Sequence, residues 1–120
     1  MNIQSYRDLE VWKLGMVLAE QAYLITRSFP KEELFGMTSQ IRRSAASIPA
    51  NIAEGYGRDN TGNYVHHARI ANGSLKELET HILLCVRVGL LTESASEPLL
   101  SEADRVGRML RGLIRSLKPE

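Results

Sequence analysis

Cysteine is nearly missing from this chain. The one present, Cys85, excludes an intrachain disulfide framework and any zinc site built from several thiolates. A lone thiol is at home in a reducing compartment. Four prolines and 6% aromatic side chains rule out a proline-rich linker and an aromatic-rich sandwich. Charge of one sign is lacking too: 15 basic side chains meet 14 acidic ones, so no net field draws in nucleic acid. The longest unbroken apolar run, Ile82-Leu83-Leu84-Cys85-Val86, is far short of the ~20 residues that cross a bilayer. Met1 to Arg7 is polar, without the apolar segment of a signal peptide. The expectation is a soluble, cytoplasmic protein with no membrane contact. What remains is ordinary for a globular domain: 43% hydrophobic and 24% charged residues, with 1–120 forming one domain.

The apolar residues recur with helical spacing, and no strand-like alternation appears. A first helix is expected from about Tyr6 to Ser28, ended by Phe29-Pro30. On it Leu9, Trp12, Met16, Ala19 and Tyr23 form one row, and Val11, Leu14, Leu18, Ala22 and Ile25 a second, roughly 140° round the axis. Val17 and Leu24 widen the apolar surface beyond the single stripe of a small bundle. Either three neighbouring helices bury all of it, or another subunit covers part.

A second helix, about Leu34 to Tyr56, carries Leu34, Met37, Ile41, Ala45, Ile48, Ile52 and Tyr56 in one stripe. Pro49 lies within it and lacks the amide that would bond the carbonyl of Ala45, so one helix kinked at Pro49 is expected. Gly55 and Gly57 end it. The third helix, about Thr61 to Val88, has a near-heptad seam of Tyr64, Ala68, Ala71, Leu75, Leu78, Ile82 and Val86, and Gly89 closes it. Ser94 or Ser96 caps the fourth, with Pro98 in its first turn. Its stripe is Leu99, Ala103, Val106, Leu110, Leu113 and Leu117. Four amphipathic helices with short connections predict an all-α, antiparallel up-down-up-down four-helix bundle.

Catalytic and metal motifs fail on spacing. Neither His66, His67 nor His81 has a Glu three positions earlier, as a carboxylate-bridged di-metal bundle requires. His67 and His81 lie about 21 Å apart along one helix, too far to share an ion. Gly55-Tyr56-Gly57 and Gly62 lack the strand and the Gly-Lys-Ser/Thr close of a phosphate loop. Cys85 sits in an apolar run without an adjacent base. The expectation is a protein that is not an enzyme, with no cofactor and no small-molecule substrate.

The basic residues say more. Eleven of the fifteen are arginine, the side chain suited to bidentate contacts with phosphate or carboxylate. Arg69, Lys76 and Arg87 share a narrow sector of the third helix. Arg108, Arg111, Arg115 and Lys118 make a second row on the fourth, where no acid intervenes from Arg105 to Lys118. These rows either track a phosphate backbone or simply complement the helix dipole, since the fourth helix opens with Glu93, Glu97, Glu102 and Asp104. Arg42 and Arg43 equally suit salt bridges to Glu54, Glu77 or Glu79.

The stretch Gln40-Ile41-Arg42-Arg43-Ser44-Ala45-Ala46-Ser47-Ile48-Pro49-Ala50-Asn51-Ile52-Ala53-Glu54-Gly55-Tyr56-Gly57-Arg58 is distinctive. Together with Tyr6-Arg7-Asp8-Leu9-Glu10-Val11-Trp12 upstream and Gly73-Ser74-Leu75-Lys76-Glu77-Leu78-Glu79 downstream, it closely resembles a bacterial four-helix-bundle family. In some members that family is encoded within intervening sequences of 23S ribosomal RNA genes. The resemblance covers nearly the whole chain and departs at Asn72, where the family often has a basic residue. It implies an antiparallel bundle assembled as a ring-like homopentamer, with no catalytic residues, and a fold-level likeness to a pentameric accessory protein of retroelements that binds nucleic acid and a reverse transcriptase. The matched motif further implies that Pro49 bends its helix, with Ser47, Asn51 or Ser74 helping to satisfy the freed carbonyl. It implies that Glu54 and Glu79 pair with Arg42 or Arg43 to align the second and third helices, and that Gly73 permits close helix approach. The leading functional expectation is an oligomeric scaffold for structured RNA or a ribonucleoprotein. A protein-interaction hub is the second and a cryptic metal or enzyme activity the third.

Overall fold

The computed structural model describes residues 3–118, and within them every regular element is helical. Four α-helices carry the fold: α1 (Glu10–Thr26), α2 (Ser39–Tyr56), α3 (Thr61–Arg87) and α4 (Glu93–Leu117). They form a body 45 × 24 × 23 Å. Each helix packs on the next in sequence, and α1 also packs on α4.

The middles of the stripes read from periodicity form the core, whereas Leu34, expected to open the second stripe, is exposed. Leu18 and Ala22 of α1, Ile41, Ala45, Ile48 and Ile52 of α2, Ala71, Leu75, Leu78 and Ile82 of α3, and Ala103, Val106 and Leu110 of α4 are all fully buried. Cys85 joins them as an inert packing group. Its loss of solvent, with a smaller push from Glu33, moves the thiol from its ordinary 9.0 up to about 11.

Helix starts differ from expectation in three places, each for a local hydrogen-bonding reason. The first helix begins at Glu10 rather than Tyr6, because Ser5 and Asp8 close a separate capping box over the turn Tyr6–Asp8. The Asp8 carboxylate accepts the backbone N–H groups of Gln4 and Ser5 at 2.9 and 3.1 Å, which holds its pKa below 3.8. The stretch Leu34–Thr38, expected as the first turn of the second helix, is instead a wide five-residue turn with Gly36 out of helical geometry. There the Met37 amide donates to the Glu33 carboxylate at 3.2 Å. Thr92, not Ser94 or Ser96, caps α4: its Oγ1 accepts the Ala95 amide at 3.1 Å, while Ser96 Oγ donates back to the Glu93 carbonyl. Pro98 consequently lies in the second turn of α4, not the first. The end of α3 is as expected. Gly89 takes the left-handed conformation (φ 84°) and the Leu90 amide returns to the Cys85 carbonyl at 2.9 Å.

The two apolar rows of α1 part company. Val11, Leu18 and Ala22 are buried, and Leu9, Trp12, Leu14, Ala19 and Ile25 are half-buried. Met16, Val17, Tyr23 and Leu24 are exposed, so the neighbouring helices leave one side of α1 uncovered.

Candidate nucleic-acid interface

The α3 row stands as the spacing requires. Steps of seven and eleven residues bring Arg69, Lys76 and Arg87 within about 20° of one line on a helix, and all three are exposed. Lys76 Nζ donates to Glu79 Oε1 at 3.0 Å. Arg69 and Arg87 have no carboxylate within 4.0 Å among the described residues. On α4, Arg108 Nε lies 3.3 Å from Asp104 Oδ2, and Arg105 reaches Glu102 at 4.0 Å. Arg111, Arg115 and Lys118 are exposed beyond them. The Arg111 guanidinium lies along α4 over Gly107, where an added methyl would stand 3.3 Å from Nη1. Exposed pairs such as Arg108–Asp104 contribute about 0–1 kcal/mol, so a phosphate can displace the carboxylate at little cost.

The residues expected to align α2 and α3 divide into two groups. Ser47 Oγ and Ser74 Oγ share a hydrogen bond of 2.8 Å across the interface. Asn51 Nδ2 donates to the Ser47 carbonyl and to Ser47 Oγ at 2.9 and 3.0 Å. Asn51 Oδ1 meets His67 Nδ1 at 3.1 Å, and His67 Nε2 lies 3.8 Å from Glu54 Oε1. The result is a polar clasp joining the two helices. Pro49 is buried in α2 beside it, but none of these side chains bonds the Ala45 carbonyl among the described residues.

The arginines lie elsewhere. Arg42 Nε donates to Thr26 Oγ1 at 2.9 Å, and its guanidinium sits 4.8 Å from the Tyr23 ring centroid, so it ties α2 to α1. Glu54 pairs with Arg58, just past the end of α2, at 2.6 Å, and Glu79 with Lys76 on α3. Arg43 is exposed with no acid within 4.0 Å among the described residues. The expected Arg42 or Arg43 pairing with Glu54 or Glu79 is therefore replaced by local pairs. Arg42 and Asn51 are nine residues apart, which is about half a turn of the helix, so one faces α1 while the other faces α3.

Gly73 also departs from expectation: a methyl there would meet nothing within 4 Å. Close approach happens at Gly55, where a methyl would stand 2.8 Å from His67 Cβ, and at Gly107, 3.1 Å from Leu75 Cδ2. His67 was the residue missed as a structural partner. Its place in the clasp was accessible by counting outward from the loop, since Asn51 and His67 lie at similar depths in α2 and α3.

Among the described residues no group of three or more His, Cys, Asp or Glu side chains is placed to hold a metal ion, and no helix is long and apolar enough to cross a membrane. Residues 7–112 match the family of the 23S rRNA-intervening sequence protein. The chain belongs to that family. A solved structure from Bacteroides thetaiotaomicron, described as a protein with unknown function from the S23 ribosomal protein family, has the same fold. It is 23% identical, with a TM-score of 0.78, over 87% of this chain and 97% of that one. No curated protein matches. Within the 23S rRNA-intervening sequence protein family, the matched segment contains the whole clasp and the basic rows up to Arg111.

Proposed function

We propose that this chain is a non-enzymatic, oligomeric helical scaffold that holds structured RNA, or a ribonucleoprotein, against rows of arginine on α3 and α4. The observation that carries the reading is the exposure of Arg69, Arg87, Arg111 and Arg115 on two long helices with no carboxylate within 4.0 Å among the described residues. Guanidinium groups spaced along rigid helices match a phosphate backbone better than a single pocketed ligand. The family's ribosomal RNA connection supports RNA as the ligand class.

In this reading the whole chain is one up-down-up-down bundle with α2 bending at Pro49. The contacts support the antiparallel order: Gly15 lies against Pro49 and Gly107 against Leu75, each pair at similar distances from its connecting loop. The uncovered side of α1 supports an assembly of copies, for which a homopentamer is the number implied by the family resemblance. The compartment is the cytoplasm.

The test is binding of a structured RNA followed by fluorescence anisotropy across a salt series. Affinity falls steeply with salt, and replacing Arg108, Arg111 and Arg115 together by Gln flattens the log–log slope by about three. Salt-insensitive binding, or none at low salt, refutes the reading. A protein-interaction scaffold is the second reading. It is favoured by Phe35, 93% exposed on the wide turn beside a notch of about 540 Å³ lined by Tyr23, Leu34, Arg42 and Arg43. Recovery of one polypeptide partner after nuclease treatment, with no RNA affinity, supports that reading instead.

A further inference from the structure

A glycine in the middle of a helix is about 1 kcal/mol less favourable than alanine unless something nearby requires the missing side chain. Gly55 and Gly107 have such a reason within the chain. Gly73, near the midpoint of the longest helix, has none: it is exposed and a methyl on it would point into open space. It lies on a stripe with Ile70, Leu84 and Val88, which recur at helical spacing on one exposed side of α3. Glu77 sits in the middle of that stripe, bonded among the described residues only to His81 of the same helix at 3.3 Å.

A second uncovered apolar face lies on α1 and α2. Met16 and Tyr23 project from α1, and exposed Ala46 and Ala50 present a small-residue surface on α2. Between the helices runs a groove of about 370 Å³ that Trp12, Ala19 and Pro49 help to line. Arg43 lies one turn before Ala46 on α2, lining the neighbouring notch beside Phe35, without a carboxylate partner among the described residues. A two-fold pairing of like faces would cover only one of these surfaces. Pairing unlike faces covers both, and repetition of that contact generates a ring when the rotation closes.

We propose that Gly73 is the point of closest approach between two copies of this chain. The α3 stripe of one copy seats on the α1–α2 face of the next, and Arg43 meets Glu77 across the contact. The charges are complementary. Ala46 lies about 4.5 Å along α2 from Arg43, and Gly73 about 6 Å along α3 from Glu77, so a small-on-small contact at Ala46 and Gly73 leaves both charges within side-chain reach. The proposal rests on the oligomeric reading above and specifies which faces make the assembly.

The test is sedimentation velocity at micromolar concentrations on the full chain and four variants, with circular dichroism to verify folding. Gly73→Gln adds a helix-favouring side chain into empty space. It should leave the single copy at least as stable while weakening assembly by about tenfold or more. Arg43→Glu and Glu77→Arg should each weaken assembly similarly, and combining them should restore it. If the folded Gly73→Gln and both charge variants assemble like the parent chain, the contact is wrong while the oligomeric reading stands. If the parent chain itself sediments as a single copy throughout, both are wrong.

Discussion

Replacing Asn51 with Ala removes the centre of the α2–α3 clasp. Three hydrogen bonds go with it: two donated to Ser47, at 2.9 and 3.0 Å, and one with His67 Nδ1 at 3.1 Å. Each contributes about 0.5–1.5 kcal/mol net, and the better helix propensity of alanine returns about 0.6 kcal/mol. Ser47 keeps its bond to Ser74, so the main residual penalty falls on His67, whose side chain is only 13% exposed and loses its Nδ1 partner. The expected loss of stability is about 1.5–3.5 kcal/mol by urea unfolding at fixed protein concentration. In Asn51→Ala/His67→Ala the orphaned ring is gone, so the double variant should lose less than the sum of the singles, with a coupling of about 1 kcal/mol or more. A loss below about 0.5 kcal/mol for Asn51→Ala, or strict additivity of the pair, would show that the clasp does not hold the helices together.

Other consequences follow from single residues. Gly55→Ala drives a methyl to 2.8 Å from His67 Cβ and should destabilise by about 1–3 kcal/mol in the same unfolding assay. Asn72 Oδ1 is buried without a hydrogen-bond partner among the described residues, so Asn72→Ala should raise the urea midpoint, with a gain of about 1 kcal/mol. Cys85 should resist iodoacetamide at neutral pH until the chain unfolds. Because its folded pKa is raised, its contribution to stability is complete below pH 9.0 and is lost as pH climbs toward about 11, which a urea series at alkaline pH measures. For Asp8 the sign is opposite: its pKa is depressed, so its contribution is present above 3.8 and lost as acid protonates the folded carboxyl. An NMR titration should show the Gln4 and Ser5 amides losing their bonds together.

The helical phase of each stripe is a property of one segment and can be read without knowing its neighbours, which is why Ile41, Ala45, Ile48 and Ile52 were identifiable as core. Caps and turns depend on which of several competing oxygens reaches an amide first. Thr92 precedes Ser94, and the Glu33 carboxylate takes the Met37 amide, and neither choice is visible in hydrophobic periodicity. Partners across helices depend on how each helix is rotated about its axis. That rotation turns Arg42 toward Thr26 and Tyr23, and places His67 beside Asn51. The basic rows were legible because exposure and spacing are enough to define them. Their neutralisation was not, since the Arg108–Asp104 and Lys76–Glu79 pairs are rotamer choices.

The chain has one tryptophan, and Trp12 is half-buried in the α1–α2 groove with the Tyr6 ring edge-on at 5.2 Å. Its indole is therefore a native optical probe at the seam where copies are proposed to meet. Dilution that parts them should redden its emission as water reaches the ring, and no label need be attached to watch it happen.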